Sequence, residues 1–296
     1  ETYEQYTLSQ YAPVLMLGET LTFLEENREG PFFLYFASPI PHVPLQAPEE
    51  YVVRYHQVIG PEEPYSGDQG YFPNRTPRAT YAAMVSYLDF QVGEILNKID
   101  ELGLGKNTVV FFTSDNGPTY NGGSDSPFFN SARPFHSEKG WAKGFLHEGG
   151  IRVPLIVKWP GKIKAGTESG WIGAFHDFFP TLYAIAGQGK PDDSDGISFL
   201  PALLDGGQSE VHDYLYWEFP SNGGQQAVRM GKWKGLRENI FEGNLEILLF
   251  DLEHDPQEET DVSSSYPLIT DSIRTIMDAQ HEPAAVERFR MEALGD

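Results

Sequence analysis

Residues 109–117 read Val109-Val110-Phe111-Phe112-Thr113-Ser114-Asp115-Asn116-Gly117, and this stretch decides the fold. Four apolar residues lead into two hydroxyl residues, an acid, an amide and a glycine. A short continuous apolar run is typical of a strand that is buried on both faces, as in a mostly parallel sheet. The stretch therefore predicts a central strand whose carboxyl end carries polar residues.

The polar end of this strand offers two oxygen ligands for a cation. In open sheets, ligands bind beyond the carboxyl ends of the strands, so we expect Asp115 and Asn116 to lie in a cleft. A carboxylate beside an amide oxygen suits a hard cation such as Ca²⁺ or Mg²⁺. The residues alone leave a second interpretation open, an ordinary strand that ends in an Asn-Gly turn.

A second strand pattern places a histidine at the equivalent position. Residues 31–38 read Pro-Phe-Phe-Leu-Tyr-Phe-Ala-Ser, which predicts another buried strand. Prolines at positions 39, 41, 44 and 48 exclude a helix and predict an extended loop. His42 lies in this loop, after its strand, as Asp115 does after the other. A surface histidine and a functional one are equally compatible with the pattern.

Helical spacing alternates with these strand patterns. Helices are predicted over residues 14–28, 78–102 and 175–187, and a further strand over residues 155–159. Residues 49–77 are rich in Pro, Gly, Tyr and acidic residues, and they predict a long loop. Strand and helix patterns in this order are typical of an α/β fold, so we expect a mostly parallel central sheet flanked by helices.

The pattern changes near residue 207. Four short strand candidates follow, over residues 214–219, 226–230, 232–236 and 245–250. Gly231 between two of them suits a tight hairpin, and helices are predicted over residues 264–282 and 284–293. We therefore expect residues 1–207 to belong to an α/β domain. Residues 208–296 should form a C-terminal α+β subdomain with a small antiparallel sheet and a helix.

Composition excludes several kinds of partner. The 296 residues include 43 acidic and 21 basic side chains, which gives a net charge of −22. This charge argues against nucleic acid, which needs a basic face, and against adsorption to anionic membranes. No apolar run reaches the ~18 residues that cross a bilayer. There is no cysteine, so the chain has no disulfide, thiolate ligand or Cys nucleophile.

A local basic cluster stands out against the acidic background. It comprises Arg133, His136, Lys139, Lys143 and His147. The cluster leads into residues 148–154, which read Glu-Gly-Gly-Ile-Arg-Val-Pro. Taken alone, the two lysines are more typical of solvated loop charges than of substrate ligands. Arg152 at a strand start is more typical of a structural residue, and Glu148 is compatible with a structural role. The histidines, with His176 further along, are weaker candidates for substrate contacts.

Taken together, these motifs resemble those of type I sulfatases, in the alkaline-phosphatase-like superfamily. The matching stretches are residues 31–48, 113–117, 143–154 and 250–256, and the resemblance extends over nearly the whole chain. It implies an alkaline-phosphatase-like fold in which residues 1–207 are the later part of the α/β catalytic domain. It also implies a sulfuric ester hydrolase whose partner is a sulfated carbohydrate or a small aryl sulfate. Localisation in the periplasm or outside the cell is implied as well.

The resemblance implies roles for individual residues. Asp115 and Asn116 match two ligands of the family's divalent cation, usually calcium. His42 matches a histidine that contacts the sulfate ester, and Lys143 matches a lysine that holds a sulfate oxygen. Lys139 is a rival for the last role, and we prefer Lys143 because its spacing to Glu148 matches. A cation with Lys and His donors suits the negative charge of a sulfate ester.

Two parts of the family's site have no counterpart in this chain. The nucleophile is a formylglycine made from Cys or Ser in a Cys/Ser-x-Pro/Ala-x-Arg motif, which is absent from residues 1–296. The family's first cation ligands, an acidic pair near its N-terminus, have no counterpart here either. The sequence opens on Glu1 without Met or a signal peptide, so we interpret it as a fragment that is inactive alone. Two other functions stay open, a phosphodiesterase or phosphonate hydrolase of the same superfamily and a non-catalytic remnant that binds sulfated glycans.

A flexible loop in the C-terminal subdomain is a further candidate for substrate contacts. Residues 221–224 read Ser-Asn-Gly-Gly and follow the aromatic residues Tyr216, Trp217 and Phe219. We expect this loop to help shape the substrate pocket. The alternative is that the aromatic side chains only pack against an interdomain face.

Overall fold

The computed structural model describes Tyr3, residues 9–204 and residues 210–296. The chain divides into two compact units. Unit 1 comprises Glu1–Val110 and Thr119–Ser131, and unit 2 comprises Phe111–Pro118 and Ala132–Asp296. The domain boundary predicted between residues 207 and 208 lies outside the described residues, and that division stays a prediction.

Unit 1 is built from helices around a small aromatic core. The helices are α1 (Ala12–Glu26), α2 (Glu49–Ile59), α3 (Pro77–Glu101) and the short α4 (Ser126–Phe129). The two helices predicted over residues 14–28 and 78–102 are therefore confirmed, each shifted by one or two residues. The core comprises the buried side chains of Ile40, Val43, Leu45, Tyr81, Met84 and Tyr87. The loop that carries His42 is thus fixed by its apolar neighbours.

Helix α2 corrects the prediction of a loop over residues 49–77. None of its side chains is fully buried, and its apolar stripe is only half-buried. The stripe is short and partly made of tyrosines, so the sequence pattern indicates this helix only weakly. It begins directly after Pro48, and the carboxylates of Glu49 and Glu50 in its first turn stabilise the positive end of the helix dipole. It packs on α3 through the half-buried Tyr51, whose ring lies 5.5 Å from that of the buried Tyr87.

The strand predicted over residues 31–38 is absent. The segment is extended but forms no ladder with any described strand. Its side chains alternate in exposure, and Phe33 and Tyr35 are 72% and 80% exposed. An apolar run becomes a strand only when a neighbour takes up its backbone hydrogen bonds. Among the described residues this segment has no such neighbour.

Unit 2 contains the strand that the opening motif predicts. Strand β1 (Val110–Thr113) pairs with β2 (Leu155–Lys158) in a two-stranded sheet. Short helices follow in chain order: α5 (Glu148–Ile151), α6 (Phe178–Ile185) and α7 (Leu200–Leu203). The sequence predicts a mostly parallel central sheet. The described residues show only this pair of strands in its place.

The four predicted C-terminal strands are confirmed as one antiparallel sheet. They are β3 (Leu215–Phe219), β4 (Gln225–Met230), β5 (Trp233–Arg237) and β6 (Leu248–Asp251), paired in chain order. Ala227 lies opposite Leu236, and Met230 opposite Trp233 across the predicted hairpin turn. One face packs on helix α8 (Pro267–Gln280) through a cluster of Val228, Leu249, Ile273 and Met277. The other face carries Ala227, Leu236 and Phe250, which pack against Leu146.

The prediction of a last helix over residues 284–293 is wrong. Two short 3₁₀ turns, Glu287–Phe289 and Glu292–Leu294, stand in its place. The segment is only ten residues long, and so short a helix is marginal unless packing supports it.

Among the described residues, no helix is both long and apolar enough to cross a membrane.

Candidate active site

The polar end of β1 presents the two predicted cation ligands. Asp115 is exposed, and its carboxylate forms no hydrogen bond or ion pair with any residue that the structure describes. The Asn116 side chain donates its amide N–H to the Gly117 carbonyl at 2.9 Å, which leaves Oδ1 as its ligand atom. Two adjacent oxygen donors fit one part of a calcium shell, which needs six to eight.

Three glycines bring this segment against residues 148–151. Gly117 donates its backbone N–H to the Gly150 carbonyl at 2.8 Å. A Cβ atom on Gly117 would collide with the carbonyl oxygen of Gly149, and one on Gly150 would collide with that of Phe145. The backbones lie so close that only glycine fits. The Gly149-Gly150 pair in the sequence motif is therefore a packing requirement of the loop that follows Lys143.

Lys143 is anchored to the end of the same segment. Its backbone N–H donates to the Pro118 carbonyl at 3.1 Å, two residues beyond Asn116. Its ammonium forms no ion pair or hydrogen bond with the described residues, so it remains available to an anion. Lys139 is exposed and has no corresponding link to residues 115–118. The geometry supports the preference for Lys143 over Lys139, and both assignments stay predictions.

Side chains at one end of the C-terminal sheet form hydrogen bonds with the residues directly after Lys143. The carbonyl of Gly144 accepts hydrogen bonds from Gln225 Nε2 at 3.0 Å and from Asn222 Nδ2 at 2.7 Å. Gln225 Oε1 accepts the backbone N–H of Leu146 at 3.1 Å. The predicted flexible loop over residues 221–224 therefore contacts the segment that carries Lys143. Its effect on substrate choice stays a prediction.

A buried charge cluster holds the next turn of the loop. The Lys234 ammonium on β5 is fully buried and pairs with Glu148 Oε1 at 3.0 Å and Glu258 Oε1 at 2.8 Å. The backbone N–H of Glu148 donates to Glu258 Oε2 at 2.6 Å. Glu148 Oε2 also pairs with Arg152 at 3.2 Å and Arg229 at 3.5 Å. Glu148 and Arg152 thus have the structural role that the sequence left open.

The two carboxyl groups of this cluster differ in acidity. Burial raises the pKa of Glu148, but the attraction of Lys234, Arg229 and Arg152 outweighs burial and leaves its pKa below the ordinary value. Burial also raises the pKa of Glu258, and the attraction of Lys234 only partly offsets it, so that pKa stays above the ordinary value. Glu148 is therefore the firmly ionised partner of Lys234.

His147 is buried beside the same loop. It is 4% exposed, its ring lies 4.2 Å from that of Trp141, and it faces Phe250 at 6.4 Å. Burial lowers its pKa to about 3, and the positive charge of Lys234 adds to the effect. A neutral histidine packed between aromatic rings supports the loop and is closed to an anionic substrate.

His42 lies in unit 1, in the proline-rich loop. It is exposed, and its Nδ1 lies 2.6 Å from the Val43 carbonyl. Because a carbonyl oxygen only accepts, Nδ1 donates that hydrogen bond and Nε2 is the nitrogen that remains for a ligand. The Tyr71 ring lies edge-on, with its centroid 6.1 Å away. The predicted role requires Nε2 to donate to an anion, which it does only when the ring carries both protons.

A histidine and carboxylate cluster elsewhere in unit 2 is structural. His176, Asp177 and His212 bring three possible metal-ligating atoms within 4.8 Å of one another. Both carboxylate oxygens of the fully buried Asp177 are occupied, because they accept the backbone N–H groups of Ala174 and Ile197 at 2.7 Å. His212 donates to the same carboxylate at 2.8 Å. The cluster ties three segments together and leaves no free carboxylate ligand.

Sequence reasoning missed the residues that support the site from the C-terminal sheet. Gln225 and Lys234 are both fully buried on strands, where a polar side chain is unusual. Their positions in strand patterns are the signal that they make specific contacts. The partners of those contacts lie 79 and 86 residues away, and nothing local indicates them.

Comparison with known families places this chain in one of them. A family model described as "Sulfatase" matches residues 2–188. A second model, described as "N-sulphoglucosamine sulphohydrolase, C-terminal", matches residues 137–282. The first match includes well over half of the chain, and the chain belongs to the sulfatase family.

Curated relatives and solved structures agree with this assignment. The rat N-acetylgalactosamine-6-sulfatase is 34% identical over 229 residues, which are 74% of this chain and 37% of that protein. The N-acetylgalactosamine-6-O-sulfatase of Bacteroides thetaiotaomicron is 27% identical over 281 residues, which are 90% of this chain and 50% of that protein. The crystal structure of Ps i-CgsB has a TM-score of 0.74 at 28% identity, and the match includes 92% of this chain and 55% of that one. The chain spans half or less of the length of these curated relatives.

Proposed function

We propose that the complete protein is a sulfatase that hydrolyses a sulfate ester on a carbohydrate, and that this chain supplies one part of the active site. The observation that carries the proposal is the hydrogen bond from the Lys143 backbone N–H to the Pro118 carbonyl, at 3.1 Å, which places the backbone of Lys143 beside the segment of Asp115 and Asn116. A cation site and a lysine on two hydrogen-bonded segments suit a substrate with a charged sulfate group.

Asp115 and Asn116 would hold the divalent cation, for which Ca²⁺ suits their carboxylate and amide oxygens. When bound, such a cation polarises the ester and neutralises charge on its oxygens. Lys143 would bind a sulfate oxygen through its ammonium. His42 would donate from Nε2 to another oxygen when its ring carries both protons, because Nδ1 already donates to Val43 at 2.6 Å.

The remaining parts of the site belong to the proposal as well. We infer that a formylglycine nucleophile and the other cation ligands come from a part of the protein outside residues 1–296. The length of the relatives supports this inference, because the chain spans 37% of one and 50% of another. That part would also add strands to the pair of β1 and β2 and so form the mostly parallel sheet that the sequence predicts. Export from the cytoplasm is the localisation that fits a glycan substrate.

The relatives support a substrate class. Two of them are named for the 6-sulfate of N-acetylgalactosamine. A solved structure of 27% identity and TM-score 0.74 is described in complex with k-i-k-neocarrahexaose, a saccharide. We therefore propose a sulfated amino sugar or polysaccharide as the substrate of this protein.

Kinetics of the complete protein test the proposal. With Ca²⁺ present, it should hydrolyse a chromogenic aryl sulfate or a 6-sulfated N-acetylgalactosamine. Lys143→Ala should lower kcat/KM by at least about 100-fold, the usual effect of losing one donor to developing charge. Lys139→Ala, a change of an exposed lysine four residues earlier, is the matched control and should have little effect. Residues 1–296 alone should show no turnover.

Three results would contradict parts of this proposal. Turnover by residues 1–296 would mean that the nucleophile lies within them. Equal losses for the two lysine variants would remove Lys143 from its role. Hydrolysis of phosphate diesters in preference to sulfate esters would move the protein to the other activity that this superfamily fold supports.

A further inference from the structure

We infer that Gln225 is a positioning residue that places Lys143 from the C-terminal sheet, an inference that rests on the proposed function. Gln225 is fully buried at the start of β4. Its side chain contacts backbone atoms on both sides of Phe145, at Gly144 and at Leu146. One amide thus satisfies a carbonyl and an N–H of the loop, as a neighbouring strand would.

The contacts of Gln225 fix the backbone on one side of Lys143. The Gly144 carbonyl follows directly after Lys143 and accepts from Gln225 Nε2 at 3.0 Å. Asn222 adds a second donor to the same oxygen at 2.7 Å. Gln225 is itself held, because Nε2 also donates to the Ser221 carbonyl at 3.3 Å. The hydrogen bonds to the Gly144 carbonyl therefore come from a fully buried strand residue and from the turn that precedes it.

The other side of Lys143 is fixed by the cation segment. Its N–H donates to the Pro118 carbonyl at 3.1 Å. Lys143 is therefore held between the end of β1 on one side and β4 on the other. All of these contacts use backbone atoms of the loop, so they set the position of the Lys143 Cα atom and leave its ammonium free. That is the arrangement expected of a support for a group that binds charge.

Gly144 itself adds to the fit. Its φ of +89° lies in the left-handed region, which favours glycine, and a Cβ atom there would lie 2.8 Å from Asn222 Nδ2. The position therefore accommodates the amide donor only because Gly144 has no side chain. The turn after Lys143 and the loop over residues 221–224 are shaped for each other.

Strand β4 offers a matched control in the next residue. Gln226 is also fully buried, and its side chain lies on the opposite face of the sheet. Its Nε2 donates to Tyr216 Oη at 2.8 Å and to Glu218 Oε2 at 3.0 Å, and its Oε1 accepts from Arg237 at 3.0 Å. Gln225→Leu and Gln226→Leu remove the same group at the same depth, but only the first removes contacts with residues 144–146.

The test uses the complete enzyme and both leucine variants. A displacement of about 1 Å at a group that binds the reacting part of the substrate commonly costs about 100-fold in rate. We therefore expect Gln225→Leu to lower kcat/KM by about 100-fold, and Gln226→Leu to leave it within a few-fold of wild type. Thermal unfolding should shift to a similar extent in both variants, which separates positioning from stability.

Combination with Lys143→Ala isolates the path of the effect. If Gln225 acts through Lys143, then Gln225→Leu should cause no further loss of kcat/KM in the Lys143→Ala enzyme. A full 100-fold loss in that background would overturn the inference. So would equal activity losses for Gln225→Leu and Gln226→Leu.

Hydrogen exchange separates this inference from the proposed function. Gln225→Leu should speed exchange of the Leu146 amide, whose N–H donates to Gln225 Oε1, and Gln226→Leu should not. Unchanged exchange at Leu146 would overturn the inference even in an active sulfatase. If the wild-type enzyme hydrolyses no sulfate ester, the proposed function fails, and the positioning role fails with it. Faster exchange at Leu146 would then leave only a structural clamp.

Discussion

The two sheets of unit 2 have similar apolar strands but differ in burial. In the four-stranded sheet, Leu236 and Leu249 are fully buried. In the pair of β1 and β2, Phe112 is 36% exposed, Leu155 44% and Ile156 60%. The first sheet has α8 on one face and the loop with Leu146 on the other. An apolar run in the sequence therefore predicts a strand, but the elements that pack on that strand determine whether its side chains are buried.

The extended segment of unit 1 makes the same point more strongly. Residues 31–38 have an apolar sequence as rich as that of β1, yet Phe33 and Tyr35 are 72% and 80% exposed. Exposed apolar surface of this kind typically marks a contact site. Both faces of the C-terminal sheet are covered by other residues of this chain. In contrast, β1, β2 and the extended segment leave apolar side chains exposed.

The largest effect is expected from breaking the buried charge cluster of the complete sheet. Lys234→Met removes the only described cation that pairs with both Glu148 and Glu258. Removal of one partner of a buried ion pair typically costs about 3–5 kcal/mol of unfolding free energy. Denaturant unfolding followed by tryptophan fluorescence measures it, because all five tryptophans lie in unit 2.

Lys232 provides the control for that measurement. It lies two residues earlier, at the hairpin, and pairs with Asp251 at 2.6 Å while its side chain is 38% exposed. An exposed ion pair contributes little to stability, so Lys232→Met should change unfolding far less than Lys234→Met. Equal losses for the two variants would show that burial of the Lys234 cluster is not what stabilises the sheet.

The next effect compares a buried strand residue with an exposed one. Leu249→Ala in β6 removes a fully buried side chain and should cost about 2–5 kcal/mol of unfolding free energy. Ile156→Ala in β2 shortens a side chain that is 60% exposed and should cost about 0.5 kcal/mol or less in this chain. In the complete protein, the cost of Ile156→Ala should rise. A cost that does not rise would mean that no strand covers Ile156 there.

The smallest effect concerns acid stability and His147. Its pKa in the folded chain is about 3, below the ordinary value of 6.5, so between these values the unfolded chain binds the extra proton. Stability from His147 is therefore fully present above pH 6.5 and falls as the pH drops towards 3. Linkage gives a loss of about 2 kcal/mol at pH 5 relative to pH 8.

Replacement of His147 by an uncharged aromatic ring isolates this contribution. In His147→Phe, the unfolding free energy should fall by about 2 kcal/mol less than in wild type between pH 8 and pH 5. The comparison within each protein removes any change in packing against Trp141 and Phe250. Parallel pH profiles for the two proteins would show that His147 does not stay neutral in the folded chain.

The sequence indicated the local parts of the candidate site and missed its supports. Asp115, Asn116 and Lys143 are candidates because each lies in a short motif beside a strand or a glycine pair. The structure brings their segments together through Pro118 and the three glycines of the junction. The contact between Gln225 and Leu146 joins residues 79 positions apart. No periodicity or spacing in a single sequence indicates such a pair.

By itself, the sequence determined the helices α1 and α3, the four C-terminal strands and the polar ends that carry candidate ligands. These features depend on local propensity, on apolar spacing and on glycine, which act over a few residues. Only the tertiary structure decided that residues 31–38 form no strand, that α2 is a helix packed on α3, and that Gln225 and Lys234 hold the loop after Lys143. Each of these depends on which distant backbone or charge is within hydrogen-bonding distance, and chain folding alone sets that distance.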